Sequence, residues 1–181
     1  IFYSMFGFQR VGDLARAFAL NLGLGDAVGD RVRIAGLLHD IGKIAVPESL
    51  LNKHGPLTRD EFLRVINHPV IGEEMVRPLK ALAPVLRMIR HHHERYDGRG
   101  YPDGLSGEAI PHEVRLLSIV DAYDALTSQR SYRPAPLSHT TALETLQMVI
   151  DKEPVRPSVR NHQAERDLET ICLKCLHKSP D

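Results

Sequence analysis

The sequence predicts an all-α helical bundle. Three observations carry that expectation. Apolar residues recur at helical spacing along successive stretches. No alternating strand pattern of useful length occurs. Glycine and proline punctuate the chain where those stretches end.

Val11, Leu14, Ala15, Phe18 and Leu22 form the apolar stripe of a first helix, and Gly23 ends it. Asp26 is the expected N-cap of a second helix, with Val32, Ala35, Leu38 and Ile41 as its stripe and Gly42 as its stop. IAVPESLLNKHGPL reads as a loop broken by Pro47, Gly55 and Pro56. Thr58 with Glu61 forms a capping box that opens a helix toward Asn67. Pro69, after His68, starts another near Val70, and Pro78 ends it. Leu82, Val85, Leu86 and Ile89 face one side of a helix running into His91. Residues 97–112 are a Gly/Pro-rich loop, followed by helices from about Glu113 to Arg130 and from Ser138 to about Ile150. No internal repeat is visible. Composition changes at DKEPVRPSVRNHQ, which divides the chain into a unit over residues 1–151 and a tail over 152–181. The tail carries one amphipathic helix, Arg166 to His177.

A chain of 181 residues, 43% apolar and 25% charged, suits one globular domain with a sizeable core. Lys plus Arg and Asp plus Glu balance at 23 each. That argues against a polynucleotide partner but not against a small phosphate ligand in a local pocket. Cys172 and Cys175 lie in an apolar helical pattern and read as reduced core cysteines, which fits a cytoplasmic compartment. No apolar run approaches the roughly 20 residues that span a bilayer. No signal peptide is read at the start; a chain beginning at Ile1 looks like a fragment, and a membrane-anchored parent is compatible with it.

Ten histidines are enough to search for a cluster. In LLHDIGK, His39 and Asp40 stand together at the end of an apolar helix, pointing about 100° apart. A lone His-Asp pair is more often a helix cap than a ligand pair. In HHHERYDGRGYPDGL, His92 and His93 end another apolar helix. His68 sits at a helix junction, and Asp121 lies inside LLSIVDAYDAL, where a carboxylate is costly unless paired. Asp124, three residues on, shares a face with Asp121. Each has a bland reading alone: a surface histidine, a polar helix end, a buried hydrogen-bonder. Together they offer His and carboxylate groups at four ordered positions, a set suited to iron, manganese, nickel or zinc.

The pieces LLHDIGKIAVPESLLNKHGPLT, NHPVIGEE, HHERYDGRGYPDGLSGEAIP and VDAYDALTSQRSYRPA occur in that order with matching gaps. In them the chain resembles an HD-GYP domain, a branch of the HD metal-dependent phosphohydrolases, over roughly residues 10–150. The resemblance implies an HD-domain helical bundle with a Gly/Pro-rich GYP loop. It implies hydrolysis of cyclic di-GMP to pGpG and/or GMP with two divalent metal ions, iron or manganese first and nickel or zinc as alternatives. His39, Asp40 and Asp121 would hold one ion. Asp40 would bridge to a second held by His68, His92 and His93. Lys43 would contact the scissile phosphate, and water activated by the ions would attack it. Arg99, Gly100, Tyr101 and Pro102 of the loop, with Arg130 and Arg133 of QRSYRP, would bind substrate, and Tyr132 stands between the two arginines. Arg95 and Arg99 otherwise read as solvated charges, and His91 as a surface residue. The loop is also expected to contact GGDEF-domain partners, and a homodimer is compatible with a domain of this kind.

Two departures qualify that expectation. The family's first-helix histidine falls on Gly7, and the glutamate of three-metal members on Tyr3; Ser4 is a poor substitute. The first metal then lacks a ligand, and a non-catalytic binding module becomes the first rival reading. An HD phosphohydrolase of another nucleotide is the second. From about residue 153, VRPSVRNHQAERDLETICLKCLHKSPD resembles a late C-lobe piece of bacterial Ser/Thr protein kinases, yet the chain has no Gly-rich loop, HRD or DFG.

Overall fold

Helices α1 (Phe2–Asn21) and α2 (Asp26–Leu38) begin the chain as an antiparallel pair in the computed structural model, which describes residues 2–53, 55–128 and 135–151. Ion pairs fix their register: Arg16 holds Asp26 and Asp30 at 2.8 Å each, and Arg33 holds Asp13 at 2.8 Å. Asp26 is therefore not the expected N-cap. Gly25 takes that place, and the Asp26 carboxylate serves in the first turn instead.

The second helix also ends earlier than its apolar stripe suggests. Leu38 is its last residue, Asp40 leaves the helix at φ −100° and ψ 8°, and Ile41–Ala45 form a 3-10 turn. A 3-10 turn keeps nearly the same path, so Ile41 still meets the core although the α-helix has ended. Gly42 is a contact point rather than a stop. A Cβ there would lie 1.9 Å from the His68 carbonyl oxygen and 2.6 Å from Gly72 N. Only glycine lets this turn lie directly on the start of α5 (His68–Val76).

The segment expected to be loop contains the short α3 (Glu48–Leu51). The Thr58 capping box opens α4 (Arg59–Val65): Glu61 N donates to Thr58 Oγ1 at 3.3 Å, and Thr58 N donates to Glu61 Oε2 at 2.7 Å. The stretch expected as one helix into His91 is divided. Lys80–Val85 is 3-10 around Pro84, and α6 (Leu86–His91) follows. Proline has no N–H to continue an α-helical ladder. The Gly/Pro-rich loop holds an isolated antiparallel bridge between Asp97 and Ser106 and a short 3-10 turn, Gly107–Ala109. Then come α7 (His112–Thr127) and α8 (His139–Asp151).

The described residues are all-α and contain no named strand. Their core joins Val11, Ala15 and Ala19 of α1, Val32 and Ala35 of α2, Met88 and Ile89 of α6, and Val114, Leu117 and Val120 of α7. The α1, α2 and α7 sets repeat at three- or four-residue spacing, so each of these helices turns one stripe inward. None of the described helices is long and apolar enough to cross a membrane. Residues 129–134, including Arg130, Tyr132 and Arg133, and the tail with Cys172, Cys175 and its expected helix, lie outside the described residues.

Candidate metal centre

Helix ends deliver the polar groups of the site. His39 caps α2, His68 begins α5, and His92 caps α6. Each turns Nδ1 back to a carbonyl three residues earlier: His39 to Gly36 O at 2.7 Å, His68 to Val65 O at 2.8 Å, His92 to Ile89 O at 2.8 Å. A carbonyl only accepts, so Nδ1 carries a proton and Nε2 is the atom turned inward. His39 and His68 are 1% exposed and His92 2%, so water does not serve these nitrogens freely.

The inward atoms meet around Asp40. His68 Nε2 stands 3.1 Å and His92 Nε2 3.9 Å from Asp40 Oδ1. The two imidazole nitrogens are 3.4 Å apart. With His93, ligand atoms of Asp40, His68 and His92 all lie within 4.8 Å of one another. On the other side, His39 Nε2 lies 3.4 Å from Asp40 Oδ2 and 3.6 Å from Asp121 Oδ1. Lys43 Nζ donates to Asp40 Oδ2 at 2.6 Å. The structure thus brings together His39, Asp40, Lys43, His68, His92, His93 and Asp121, with the two Asp40 oxygens facing different histidines.

The electrostatics call for a cation. Asp40 Oδ1 is buried and makes no hydrogen bond among the described residues. Burial drives the His92 imidazole well below its ordinary value, with the charges of His39 and His68 adding to that. Burial pushes His39 the same way, but the Asp40 and Asp121 carboxylates outweigh it and raise it to about 10. Burial would raise both carboxyls. Lys43 and His39 instead hold Asp40 well below its ordinary range, and His39 holds Asp121 at about 2. Two half-buried carboxylates therefore stay ionised beside imidazole nitrogens that face each other. A divalent cation answers both, so the residues present fit a metal.

The loop after His93 forms one wall. Tyr101 packs its ring 4.8 Å from that of His93 and donates its backbone N–H to His93 O at 3.2 Å. Gly100 permits this, since a Cβ there would meet Arg95 N at 2.4 Å and Glu94 Cα at 2.5 Å. Burial raises the Tyr101 hydroxyl far above its ordinary value, so it stays protonated. Pro102 continues the wall, while Arg99 is exposed and its backbone N–H bonds Asp97 Oδ1 at 3.0 Å.

Several residues differ from their expected places. His91 is buried, 7% exposed, and its Nε2 meets Asp103 Oδ2 at 2.8 Å. Arg95 is buried rather than solvated and donates to Asp97 at 2.8 Å. Asp124 does not join Asp121 at the cluster; Arg10 of α1 grips it. Glu94 escaped the sequence reading. Its carboxylate accepts from Asp103 N at 2.7 Å, Gly104 N at 3.1 Å and Leu105 N at 3.0 Å, fastening the loop. Arg90 also binds Asp103 through two bonds of 2.7 Å. The available signal was an acid directly after a histidine run, with partners nine to eleven residues away.

Position 7 lies in α1 and, as glycine, offers no ligand. The next residue, Phe8, sets its ring edge-on to His39 at 5.8 Å between centroids.

Residues 7–152 match the HD domain family. A cyclic di-GMP phosphodiesterase response regulator of Xanthomonas campestris is 45% identical over 130 residues, 70% of this chain and 34% of that protein. A cyclic di-GMP phosphodiesterase of Pseudomonas aeruginosa is 47% identical over 118 residues, 65% of this chain and 28% of that one. A 3′3′-cGAMP-specific phosphodiesterase of Vibrio cholerae is 38% identical over 125 residues, 69% and 29% of the two chains. The chain thus spans about a third of the length of these relatives. Among solved structures, an HDG"Y"P protein from Bdellovibrio bacteriovorus superposes with a TM-score of 0.65 at 23% identity, over 94% of this chain and 51% of that one, which is a likeness of fold.

Proposed function

We propose, since this chain belongs to the HD domain family, that it is a metal-dependent phosphodiesterase of the HD-GYP type, with cyclic di-GMP as its substrate. The observation that carries this reading is the buried convergence of histidine Nε2 atoms on both oxygens of Asp40. His39, Asp40 and Asp121 would hold one divalent ion, and Asp40, His68, His92 and His93 a second. Iron or manganese suits this mixture of imidazole and carboxylate, with nickel or zinc as alternatives. Ions bound there polarise phosphoryl oxygens and ease proton loss from an attacking water.

The chain's own residues do the rest. Water adds to phosphorus, the bond to the leaving sugar oxygen breaks, and that oxygen takes a proton. Lys43, which donates to Asp40, would neutralise charge on a phosphoryl oxygen. Tyr101 stays protonated and can donate a hydrogen bond but cannot serve as a base. Arg99, Gly100 and Pro102, with Arg130 and Arg133 of the segment outside the described residues, complete the proposed substrate contacts. The proposed functional unit is residues 1–151, with the tail 152–181 outside it. Docking of a GGDEF-domain protein on the GYP loop and formation of a homodimer belong to the same proposal, as does a cytoplasmic location.

A second reading has a specific observation behind it. Relatives at 36–39% identity are named as 3′3′-cGAMP-specific phosphodiesterases, so a mixed cyclic dinucleotide is the alternative substrate.

Chromatography of cyclic di-GMP incubated with the chain in anaerobic Fe(II) or Mn(II), beside Asp40→Ala, tests the proposal. Turnover by the parent chain and a loss of more than about 100-fold in Asp40→Ala is expected, since removing that carboxylate disturbs both ion sites. A folded, metal-loaded chain without turnover would reject the enzyme and leave a binding module. Gly7→His, expected to raise the rate, shows whether the missing first-helix ligand is the reason.

A further inference from the structure

A groove of about 680 Å³ opens beside the metal cluster, between the 3-10 turn after Asp40, the end of α4 and the GYP loop. That volume falls in the range of about 300–1,000 Å³ usual for small-ligand sites. Its apolar walls include Pro47, Ile66 and Pro102, and Tyr101 belongs both to the groove and to the contact with His93. Tyr101 is thus the side chain that the groove shares with the wall of the cluster that would hold the scissile phosphate. Besides Tyr101, two polar side chains line it, Arg64 of α4 and Asn67 at the N-cap of α5, three residues apart and both exposed. Neither head group makes a hydrogen bond or ion pair among the described residues, and the Asn67 side chain does not cap α5.

Resting on the phosphodiesterase reading, we propose that Arg64 and Asn67 are the specificity-determining residues of a guanine subsite in this groove. A cyclic dinucleotide with one phosphate on the cluster carries a purine to each side of it. The apolar walls would accept the faces of the base. Guanine offers N7 and O6 as paired acceptors, which match the forked donors of an arginine. Adenine offers N7 beside an N6 donor, which a guanidinium repels. The Asn67 amide oxygen can accept from guanine N–H groups, and its NH₂ can donate. Arg64 thus rejects adenine in this half of the substrate, and the discrimination is separate from the metal chemistry.

The test is equilibrium dialysis of the Mn(II)-loaded chain against cyclic di-GMP, 3′3′-cGAMP and cyclic di-AMP, with chromatography of the ligands, for the parent chain, Arg64→Met and Asn67→Ala. Where turnover occurs, kcat/KM replaces affinity. The parent chain should prefer cyclic di-GMP to cyclic di-AMP by about tenfold or more, and Arg64→Met should remove most of that preference with an unchanged melting temperature. A parent chain that binds cyclic di-GMP while Arg64→Met keeps the same preference would overturn the subsite and leave the phosphodiesterase reading intact. A chain that binds none of the three yet hydrolyses bis(p-nitrophenyl) phosphate would overturn the subsite and the cyclic-dinucleotide substrate together. Failure with all four compounds would overturn the phosphodiesterase reading itself.

Discussion

Asp103 shows how single residues hold the GYP loop in place. It is bonded twice by Arg90 and once by His91, and Arg90 also reaches Glu73 of α5 at 3.0 Å. Arg90, then His91, keeps the Asp103 carboxyl far below its ordinary value of 3.8. A carboxyl whose folded value lies below its unfolded one contributes stability above the unfolded value and loses it as pH falls through the folded one. Asp103→Asn should therefore cost about 1 kcal/mol at pH 7, a modest figure because the pair is partly open to water. The gap between variant and parent melting temperatures should close as pH falls below about 3.8. A gap that stays constant with pH would mean the pair contributes through shape rather than charge. The sequence showed the histidines but not these partners. His39, Asp40, His68, His92, His93 and Asp121 stood out through motif order. His91, Glu94 and Asp103 pair across a folded-back loop, and nothing in residue type or spacing announces which acid meets which base.

At the scale of elements, the helices were legible because each carries its own apolar period, while their interruptions were not. The stripe through Ile41 hid the change from α-helix to 3-10 turn, and Pro84 split a stretch whose apolar spacing runs through it. Those interruptions place the site. The 3-10 turn sets Asp40 and Lys43 against α5, and Gly42 makes the close approach possible. Gly42→Ala should cost about 3 kcal/mol, the upper end for overpacking, because the added methyl meets backbone that cannot rotate away. It should also weaken metal binding beyond that stability loss, since any relief moves Asp40 away from His68. Calorimetric titration with Mn(II), on variant and parent below their melting temperatures, checks it. Metal affinity equal to that of the parent would show that the turn can shift without carrying Asp40 along.

Across the whole molecule, the candidate ligands join parts of the chain that are distant in sequence. Asp40 follows α2, His68 opens α5, His92 and His93 follow α6, and Asp121 lies in α7. An ion bound by them would tie four elements at one point, across the seam where half-buried carboxylates and imidazoles otherwise oppose each other. Anything that binds the folded state alone stabilises it by mass action, about 2.7 kcal/mol at a free concentration of 100 times Kd. For a chain of 181 residues that corresponds to a rise of roughly 5–10 °C in melting temperature. Thermal melts of metal-free protein against rising Mn(II) should show that increase. His68→Ala should lose most of it, because it removes a nitrogen from the cluster of Asp40, His68, His92 and His93. His39→Ala should lose less, because on the proposed ligand assignment the lobe it shares with Asp40 and Asp121 would lack a ligand at Gly7. On the proposed two-ion centre, the first ion would belong to the four-residue cluster and the second would bind more weakly, so stoichiometry should pass from one to two over a separable range of concentration. Gly7→His should bring the two steps together. A single two-ion step in the parent chain would show that Asp40, His39 and Asp121 suffice, and that the glycine in α1 costs the centre nothing.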